Sequence, residues 1–422
     1  MLLPELLPLT RPGAEAVRAY QSRRLRRLVD HAYERVPFYR ARLRRAGLHP
    51  RDVRSVDDLA ALPVTERRDL QLLPPTEVCA RGLLRRASRV VTTSGSSGEP
   101  LTVRRTPAEE RLLLLLRARA IGEWARGLRT RRAVIDHLGP QSREETRTGV
   151  HERLGILPRL CLDWRCPKEE LVGRIEAFAP DLVAGPPSVL AWVADTLTAE
   201  DRSRLVARRV LTGAETLTPG LRRRITDGFG LPIVDLYGAH EVVFIAMESP
   251  GEPGYRVCWR SVIVEVLPVD GSAAAGEVVV TALHSMAMPF LRYRLGDLVQ
   301  AEDDGPVLRL RAIEGRVNDR FRLPDGRWLH GYSLGEVVES SGLPLRRFQI
   351  TQTRPDAFRV RLVVEEAPAT VLDALRRRIV AKVGGGVEVT VEVVAEIPHR
   401  GRKTPTFVAW RPSEGRARPN AG

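Results

Sequence analysis

The sequence predicts an α/β protein with a large N-terminal domain of helix-covered parallel sheets, a distorted antiparallel β region and a small α+β C-terminal domain. Three observations support this fold class. A chain of 422 residues is too long for one ordinary hydrophobic core. Short apolar or β-branched runs alternate with helical stretches in the first half, and the pattern changes near residue 255 and again after residue 315.

The first half contains the alternation that is typical of parallel strands covered by helices. Residues 17–46 form an amphipathic helix pair that is interrupted at Val36-Pro37, because proline cannot continue a helix. The predicted strands are 89–93, 133–138, 182–185, 208–212 and 232–237, and the predicted helices are 107–126, 168–178, 187–197 and 218–229.

The second half predicts antiparallel strands and then a separate small domain. Turn signals at Asp270-Gly271 and Asp303-Asp304-Gly305 interrupt the strands between residues 255 and 310. After Gly315 we expect a hairpin at 323–328, strands at 346–353, 357–364 and 387–395, and a helix at 368–383. The resulting domains are 1–317, 318–410 and a disordered tail at 411–422.

Composition excludes several classes of protein. Charged residues at 28% and hydrophobic residues at 43% are typical of soluble globular proteins. The apolar run 112–116 is far shorter than the roughly 18 residues that suggest a membrane span. The N-terminus lacks the basic region and apolar core of a signal peptide. We therefore expect a cytoplasmic protein without a membrane-spanning segment.

Cysteine and charge patterns are equally restrictive. The four cysteines, Cys79, Cys161, Cys166 and Cys258, are too few and too unevenly spaced for a disulfide framework, and no nearby histidine completes a zinc site. A net charge of +15 would suit a nucleic-acid partner, but the arginines are scattered and aromatic residues are only 5%. We expect free thiols and no nucleic-acid partner.

Lysine is rare in this arginine-rich chain and occurs only at Lys168, Lys382 and Lys403. A surface cation can drift to arginine without consequence. A compact ammonium group at a reaction centre cannot, because guanidinium is planar and bulkier. A retained lysine is therefore informative.

A phosphate-binding loop is predicted where hydroxyl and glycine residues follow an apolar strand, at Val91–Pro100. Glycine lets backbone amides approach a ligand, and Ser and Thr hydroxyls donate to phosphate oxygens. A surface turn would look the same, and the absence of lysine in the loop disfavours a Walker-type NTPase. Three more blocks follow in order, at Thr212–Glu215, Tyr237–Glu241 and Tyr293–Asp297.

These blocks, together with Gly315–Asp319 and Lys403, resemble the adenylate-forming (ANL) superfamily, and within it the phenylacetate-CoA ligase branch. His31–Arg40 and Met286–Tyr293 extend the resemblance over nearly the whole chain. The resemblance implies a distorted β-barrel region, a mobile small domain, and an AMP-forming ligase that uses ATP and Mg²⁺ with coenzyme A as co-substrate.

The resemblance also assigns residues to the nucleotide. The loop would hold the β- and γ-phosphates, the 213–215 segment and the ring of Tyr237 would enclose the adenine, and Asp297 would accept both ribose hydroxyls. The ATP-binding residues expected from it are Thr93, Ser94, Gly95, Ser96, Ser97, Gly98, Gly213, Ala214, Glu215, Tyr237, Gly238 and Asp297.

Catalytic roles follow from the same resemblance. Glu241 would ligate Mg²⁺, and Lys403 would stabilise charge that develops between the acid and the α-phosphate. Arg316 would reach the ribose or the phosphates, and Asn318 occupies the position of the hinge. Taken singly, Glu241 could be a surface charge and Lys403 a solvated turn residue.

The acid-binding region departs from the family. Relatives usually have Thr or Ser where this chain has His240, which could contact the substrate or fill space. The segment 136–147, which contains His137, is polar where relatives that act on aryl acids have glycine and aromatic residues. Val243 and Phe244 are candidates for the pocket wall, and could equally belong to the core.

Three functional hypotheses remain open from the sequence. The first is activation of a small-molecule carboxylic acid as acyl-AMP and transfer to coenzyme A. The second keeps adenylation, of a carboxylate or of an inorganic oxyacid such as nitrite, with transfer to an amine in a biosynthetic pathway of secondary metabolism. A carrier protein is a further candidate partner. The third is a non-catalytic nucleotide-binding or nucleic-acid-binding protein. The oligomeric state is open, with a dimer as one candidate.

Overall fold

The computed structural model describes residues 13–86, 89–92, 100–122, 127–136, 149–249, 251–269, 272–302, 305–397 and 406–411. The chain divides into two compact units, Met1–Glu314 and Gly315–Gly422, which we call the large unit and the small unit. Helices and strands occur in both units, as the α/β prediction requires.

The large unit contains ten helices among its described residues. They are α1 Ala14–Arg35, α2 Pro37–Arg45, α3 Arg67–Gln71, α4 Pro75–Val78, α5 Pro107–Gly122, α6 Val150–Arg153, α7 Lys168–Phe178, α8 Pro187–Thr196, α9 Ala199–Arg204 and α10 Pro219–Phe229.

Its strands alternate with these helices and then follow one another directly. They are β1 Arg89–Thr92, β2 Thr102–Arg105, β3 Arg132–Asp136, β4 Arg159–Asp163, β5 Leu182–Gly185, β6 Arg209–Gly213, β7 Ile233–Tyr237, β8 Ala246–Ser249, β9 Glu252–Val257, β10 Val262–Val269, β11 Ser272–Ala282, β12 Tyr293–Glu302 and β13 Arg309–Arg316, which runs past the unit boundary.

Eleven of these strands form one sheet in the order β10-β11-β12-β13-β9-β8-β7-β6-β5-β3-β4. The pairs among β3 to β7 are parallel. The pairs β7-β8, β8-β9, β9-β13, β11-β12 and β10-β11 are antiparallel. The mixed α/β prediction is therefore confirmed. Within the described residues, the strands of the expected barrel region do not close into a barrel; they extend the large sheet through the antiparallel pairing of β8 with β7.

The carboxyl ends of the parallel strands bring distant segments together. Strands β5, β6 and β7 are neighbours, so Gly185, Gly213 and Tyr237 lie in succession along one edge of the sheet. Ligands in open α/β sheets bind outside this edge. Space there is restricted, since a Cβ atom on Gly185 would lie 2.3 Å from the carbonyl oxygen of Ile135.

The N-terminal helix pair holds the segment that precedes β12. The hydroxyl of Tyr39 in α2 donates to the carbonyl of Pro289 at 3.0 Å and accepts from the amide of Leu291 at 3.1 Å. The imidazole of His31 in α1 lies 2.8 Å from the carbonyl of Met286. Burial raises the pKa of Tyr39 to about 12, so the hydroxyl stays protonated as this contact requires.

The small unit is an α+β domain. Its elements are β14 Arg320–Arg322, β15 Trp328–His330, α11 Gly331–Glu339, β16 Arg347–Arg354, β17 Ala357–Val363, α12 Ala369–Val383, β18 Glu388–Val393 and β19 Phe407–Val408. Strands β14 and β15 form the predicted hairpin. The other four strands form a sheet in the order β18-β17-β16-β19. The side chains of Phe321, Ile350 and Phe358 are central to its core.

Among the described residues, no helix is both long enough and apolar enough to cross a membrane.

Candidate functional site

Two residues predicted to bind the nucleoside are in direct contact. The hydroxyl of Tyr237, at the end of β7, donates to Oδ2 of Asp297, in β12, at 2.7 Å. Both residues are buried, although 60 positions separate them in the chain. The contact fixes the direction of the carboxylate and brings the β7 end and the Tyr293–Asp297 block into one site.

The neighbouring strand contributes the predicted adenine segment. Ala214 follows β6 with φ of +69°, a left-handed backbone that L-residues seldom adopt. The next residue, Glu215, accepts a hydrogen bond at 3.2 Å from the amide of Ser188, at the start of α8. Backbone strain of this kind concentrates at ligand sites, and here it turns the chain sharply at the edge of the sheet.

A tight turn after β7 sets the position of Glu241. A Cβ atom on Gly238 would lie 2.3 Å from the carbonyl oxygen of Val243, so only glycine fits at this position. The amide of Val243 donates to the carbonyl of Ala239 at 2.6 Å, and Val243 has φ of +64°. For a β-branched residue this conformation is a genuine outlier, held by the surrounding turn.

The carboxylate of Glu241 is buried and held on one side. Its Oε1 accepts from Nη1 of Arg67 at 3.1 Å and from the hydroxyl of Tyr293 at 3.1 Å. Burial, followed by the charge of Glu241, raises the pKa of Tyr293. Among the described residues, Oε2 has no hydrogen-bond partner.

This arrangement fits a magnesium ion that also binds phosphate. Mg²⁺ favours one or two carboxylate oxygens together with phosphate oxygens and waters. Within the described ranges no cluster of three His, Cys, Asp or Glu side chains occurs, so a metal at Glu241 would share its coordination with phosphate oxygens and waters.

The flanks of the predicted phosphate loop lie close to the same turn. Strands β1 and β2 form an antiparallel pair in which Thr92 faces Thr102, so the loop is closed by this hairpin. Arg105, at the end of β2 and 5% exposed, donates to the carbonyl of His240 and, at 3.3 Å, to Oε1 of Glu110. The side chain of His240 itself is exposed.

Several predicted residues lie outside the described part of the chain. They are Thr93, Ser94, Gly95, Ser96, Ser97 and Gly98 of the loop, His137 of the acid pocket and the catalytic candidate Lys403. Arg316 and Asn318 belong to the small unit, where Arg316 ends β13 and Asn318 lies in a short 3₁₀ helix, and both are exposed.

The side chain of Phe244 belongs to the hydrophobic core. It is 2% exposed and packs in a cluster with Val234 and Met247, while Val243 lies against the edge of that cluster. Of the two interpretations that the sequence left open for Phe244, the structure favours core packing.

A charged network lies beneath the nucleotide segments. Asp235 in β7 accepts from the hydroxyls of Thr212 at 2.5 Å and Tyr255 at 2.7 Å. The backbone amide of Asp235 donates to Glu248, which pairs with Arg222. Burial is the main cause that raises the pKa of both carboxyl groups. The network ties the ends of β6 and β7 to the antiparallel strands.

Two positioning residues were not identified from the sequence. Arg67 holds Glu241, and nothing local distinguishes it from many other arginines. Buried Glu109 accepts the amides of Met286 and Ala287 at 2.6 and 2.8 Å through Oε1, and binds Thr106 through Oε2. The spacing of Thr106 and Glu109 is that of a helix capping box, a signal that could have identified it.

Comparisons with known proteins identify the family of the chain. No protein-family model matches the chain. The phenylacetate-coenzyme A ligase of Pseudomonas putida is 31% identical over 348 residues, which cover 74% of this chain and 73% of that protein. The enzyme of the same name from Escherichia coli K12 is 27% identical over 433 residues, covering 93% and 95% of the two chains.

Solved structures share the fold. A 2-hydroxyisobutyryl-CoA ligase in its postadenylation state aligns with a TM-score of 0.77 at 20% identity, covering 96% of this chain and 94% of that one. An amide bond synthetase from Marinactinospora thermotolerans aligns with a TM-score of 0.54 at 20% identity, covering 73% and 65%. The chain therefore belongs to the phenylacetate-CoA ligase branch of the adenylate-forming superfamily and is an AMP-forming ligase.

Proposed function

We propose that the protein activates a small carboxylic acid with ATP and transfers the acyl group to coenzyme A. The observation that carries the proposal is the contact between Tyr237 and Asp297 beside the Glu241 turn. A ring for the adenine, a carboxylate for the ribose and a carboxylate for the metal then lie in one part of the large unit. Related phenylacetate-CoA ligases support coenzyme A as the acceptor.

The first half-reaction places one demand on each group. A carboxylate oxygen of the acid attacks the α-phosphorus, and the bond to pyrophosphate breaks. Asp297 orients the ribose, and Glu241, whose Oε1 is held by Arg67, would hold the metal. When bound, Mg²⁺ would neutralise phosphate charge. Lys403 would stabilise the charge shared by the acid and α-phosphate oxygens.

The second half-reaction exchanges AMP for a thiol. The thiolate of coenzyme A attacks the acyl carbon, and the bond to the AMP oxygen breaks to give the thioester and AMP. Because ATP and coenzyme A are both cytoplasmic metabolites, we propose that the protein acts in the cytoplasm.

The proposal is tested by pyrophosphate exchange. Labelled pyrophosphate should enter ATP only when a suitable acid is present, so a panel that begins with phenylacetate and includes hydroxy and amino acids identifies the substrate. Lys403→Ala should lower the exchange rate roughly tenfold to a thousandfold, the range for a lost charge-stabilising donor. Lys168→Ala is the matched control, because Lys168 is a partly buried lysine that pairs with Asp201 at 3.2 Å and belongs to none of the motif blocks.

Two outcomes would contradict adenylation by this site. The first is a folded protein that shows no pyrophosphate exchange with any acid in the panel, and the second is a Lys403→Ala variant that keeps full exchange activity. The first of these outcomes would favour a non-catalytic nucleotide-binding protein.

An amine acceptor is the second candidate function. It is supported by the polar character of 136–147 and by His240, whose side chain is exposed beside the turn that holds Glu241. A neutral imidazole could remove the proton that an attacking amine must lose. Product mass with coenzyme A, with amines and with a carrier protein distinguishes the acceptors, and nitrite with an aryl amine tests the inorganic alternative.

A further inference from the structure

A cavity in the large unit lies beside the elements that hold the Glu241 turn. It has a volume of about 220 Å³, and its walls come from α3, α4 and strand β2. This volume equals that of about seven waters, so the cavity suits a small ligand. The residues that line it include none of the nucleotide residues Tyr237, Glu241 and Asp297. The cavity is therefore separate from the proposed nucleotide site.

The cavity is apolar on its buried side and cationic on its exposed side. Leu70, Val78 and Leu101 are buried and line the interior. Leu73, which is 37% exposed, and the half-buried Arg104 lie at the opening. Within the part of the chain that the structure describes, Arg104 has no carboxylate partner. An apolar interior with one cation at the opening matches a molecule that has an apolar body and one negative group.

Two further observations place Arg104 on the cavity side of β2. Val90 in β1 faces Arg104 across the strand pair, so both side chains lie on the same face of the hairpin, and Val90 is exposed. Burial raises the pKa of Cys79, which also lines the cavity, to about 11, and the charge of Arg104 acts against that rise. The guanidinium group is therefore near the thiol and shares the cavity with it.

Two walls of the cavity also hold the Glu241 turn. In α3, Arg67 donates to the Glu241 carboxylate, and Leu70, three residues later, lines the cavity. In β2, Arg105 donates to a backbone carbonyl of the same turn, and the preceding residue, Arg104, lines the cavity. A ligand between α3 and β2 would therefore contact both elements that fix the metal turn.

We propose that this cavity is a second ligand site, which binds a small carboxylate with an apolar body, and that its occupant strengthens the binding of ATP with Mg²⁺. The carboxylate would accept from the guanidinium of Arg104, and the apolar body would bury its surface against the leucine and valine side chains. With the cavity filled, α3 and β2 have less freedom to lose when the nucleotide binds. The coupling rests on the proposed nucleotide site, whereas the ligand site does not.

The ligand site is tested with hexanoate, whose short chain suits the cavity volume and ends in one carboxylate. Isothermal titration into the full-length protein without nucleotide should show that hexanoate binds, that uncharged hexanol binds more weakly and that cationic hexylamine does not bind. Arg104→Ala should weaken hexanoate binding about tenfold or more, as expected for a lost hydrogen bond between charged groups, and Arg104→Lys should restore part of the affinity. Arg68→Ala removes an exposed arginine of α3 outside the cavity and should change nothing.

A second variant fills the cavity and keeps the cation. Leu73→Trp enlarges a lining residue at the opening, where a partly exposed side chain can be replaced without disturbing the core. Hexanoate binding should be lost in this variant. Thermal melting confirms that each variant is folded.

The coupling is tested with α,β-methylene-ATP, which cannot transfer its adenylyl group, so hexanoate cannot react. Hexanoate should raise the affinity for this analogue and Mg²⁺ about fivefold, and the analogue should raise the affinity for hexanoate by the same factor, because linkage is reciprocal. The gain on adding hexanoate should disappear in Leu73→Trp.

The outcomes separate this inference from the proposed function. A folded wild-type protein that binds no hexanoate at millimolar concentration, or hexanoate binding that is unchanged in Arg104→Ala and Leu73→Trp, would overturn the ligand site and leave adenylation standing. Hexanoate that binds without changing the affinity for the ATP analogue would overturn the coupling. Wild-type protein that binds hexanoate as expected but exchanges pyrophosphate with no acid would contradict the proposed function and leave the ligand site standing.

Discussion

The hydrogen bond between Tyr237 and Asp297 gives the sharpest prediction about the nucleotide site. Tyr237→Phe keeps the ring that would stack on adenine and removes only the hydroxyl, which donates to Asp297 Oδ2 at 2.7 Å. Hydrogen bonds to charged groups are worth about 1.5–3 kcal/mol. If the smaller value is lost from the oriented carboxylate, ATP affinity falls about tenfold.

The control for this variant is provided by a second pair of the same kind. The hydroxyl of Tyr255 donates to Oδ2 of Asp235, also at 2.7 Å, and both residues are buried. Tyr255→Phe removes a hydroxyl that is as buried as that of Tyr237 and makes a hydrogen bond of the same length, but to a carboxylate that is not predicted to bind ribose. It should lower the melting temperature as much as Tyr237→Phe does and leave ATP affinity near that of the wild type.

The assay is titration of ATP into the folded protein with Mg²⁺ present and no acid, since binding alone is at issue. A fall in ATP affinity that is equal in the two variants would show that lost stability is the cause. No fall in Tyr237→Phe would refute the claim that the contact orients a ribose-binding carboxylate.

Three further predictions concern stability and reactivity. Glu109→Ala leaves the amides of the 286–287 segment without their acceptor and should cost about 3 kcal/mol in chemical denaturation, whereas the neighbouring, more exposed Glu110→Ala should cost under about 1 kcal/mol. Burial raises the pKa of Asp235, so the stabilisation from its protonated carboxyl group is present at low pH and lost as pH rises through the raised pKa. Asp235→Asn should therefore flatten the dependence of the free energy of unfolding on pH over this rise. Burial also raises the pKa of Cys79 to about 11, so its thiol should not react at pH 8 in the folded protein. A thiol-reactive reagent should then label equal numbers of thiols in native wild type and native Cys79→Ala, and one more thiol in unfolded wild type than in the unfolded variant.

Elements with a strong local pattern were predicted closely. Helix 168–178 and strand 182–185 occur with the predicted bounds as α7 and β5. Proline at the N-cap of α7 and a left-handed Ala179 at its C-cap delimit the helix locally. In such segments the apolar pattern ends at the same positions as the residues that terminate the element, so a short stretch of sequence determines both its type and its bounds.

Helix α11 shows why other elements were not predicted. It contains Gly331 and Gly335, which are poor helix formers. A Cβ atom on Gly331 would lie 2.4 Å from the ring of Phe407, and one on Gly335 would lie 2.9 Å from it. The glycines are required by a residue more than 70 positions away, and no local pattern records that requirement.

The site shows the same limit. Motif blocks identified Tyr237, Glu241 and Asp297, and the structure brings Tyr237 and Asp297 into contact. The hydroxyl of Tyr293 and the guanidinium of Arg67 were not recognised as partners of Glu241, because that role depends on a tertiary contact across the large unit.

A backbone bridge explains why both donors to Glu241 reach the same carboxylate oxygen. The amide of Thr65 donates to the carbonyl of Arg292 at 2.8 Å, and the amide of Arg294 donates to the carbonyl of Thr65 at 3.0 Å. Tyr293 lies between these two bonds, and Arg67 follows Thr65 by two residues, so one short bridge presents both donors to Oε1. Because both donors use the same oxygen, the carboxylate is fixed in orientation while Oε2 stays available. The N-terminal segment thus positions Glu241, although it contributes none of the residues that the family motifs identify.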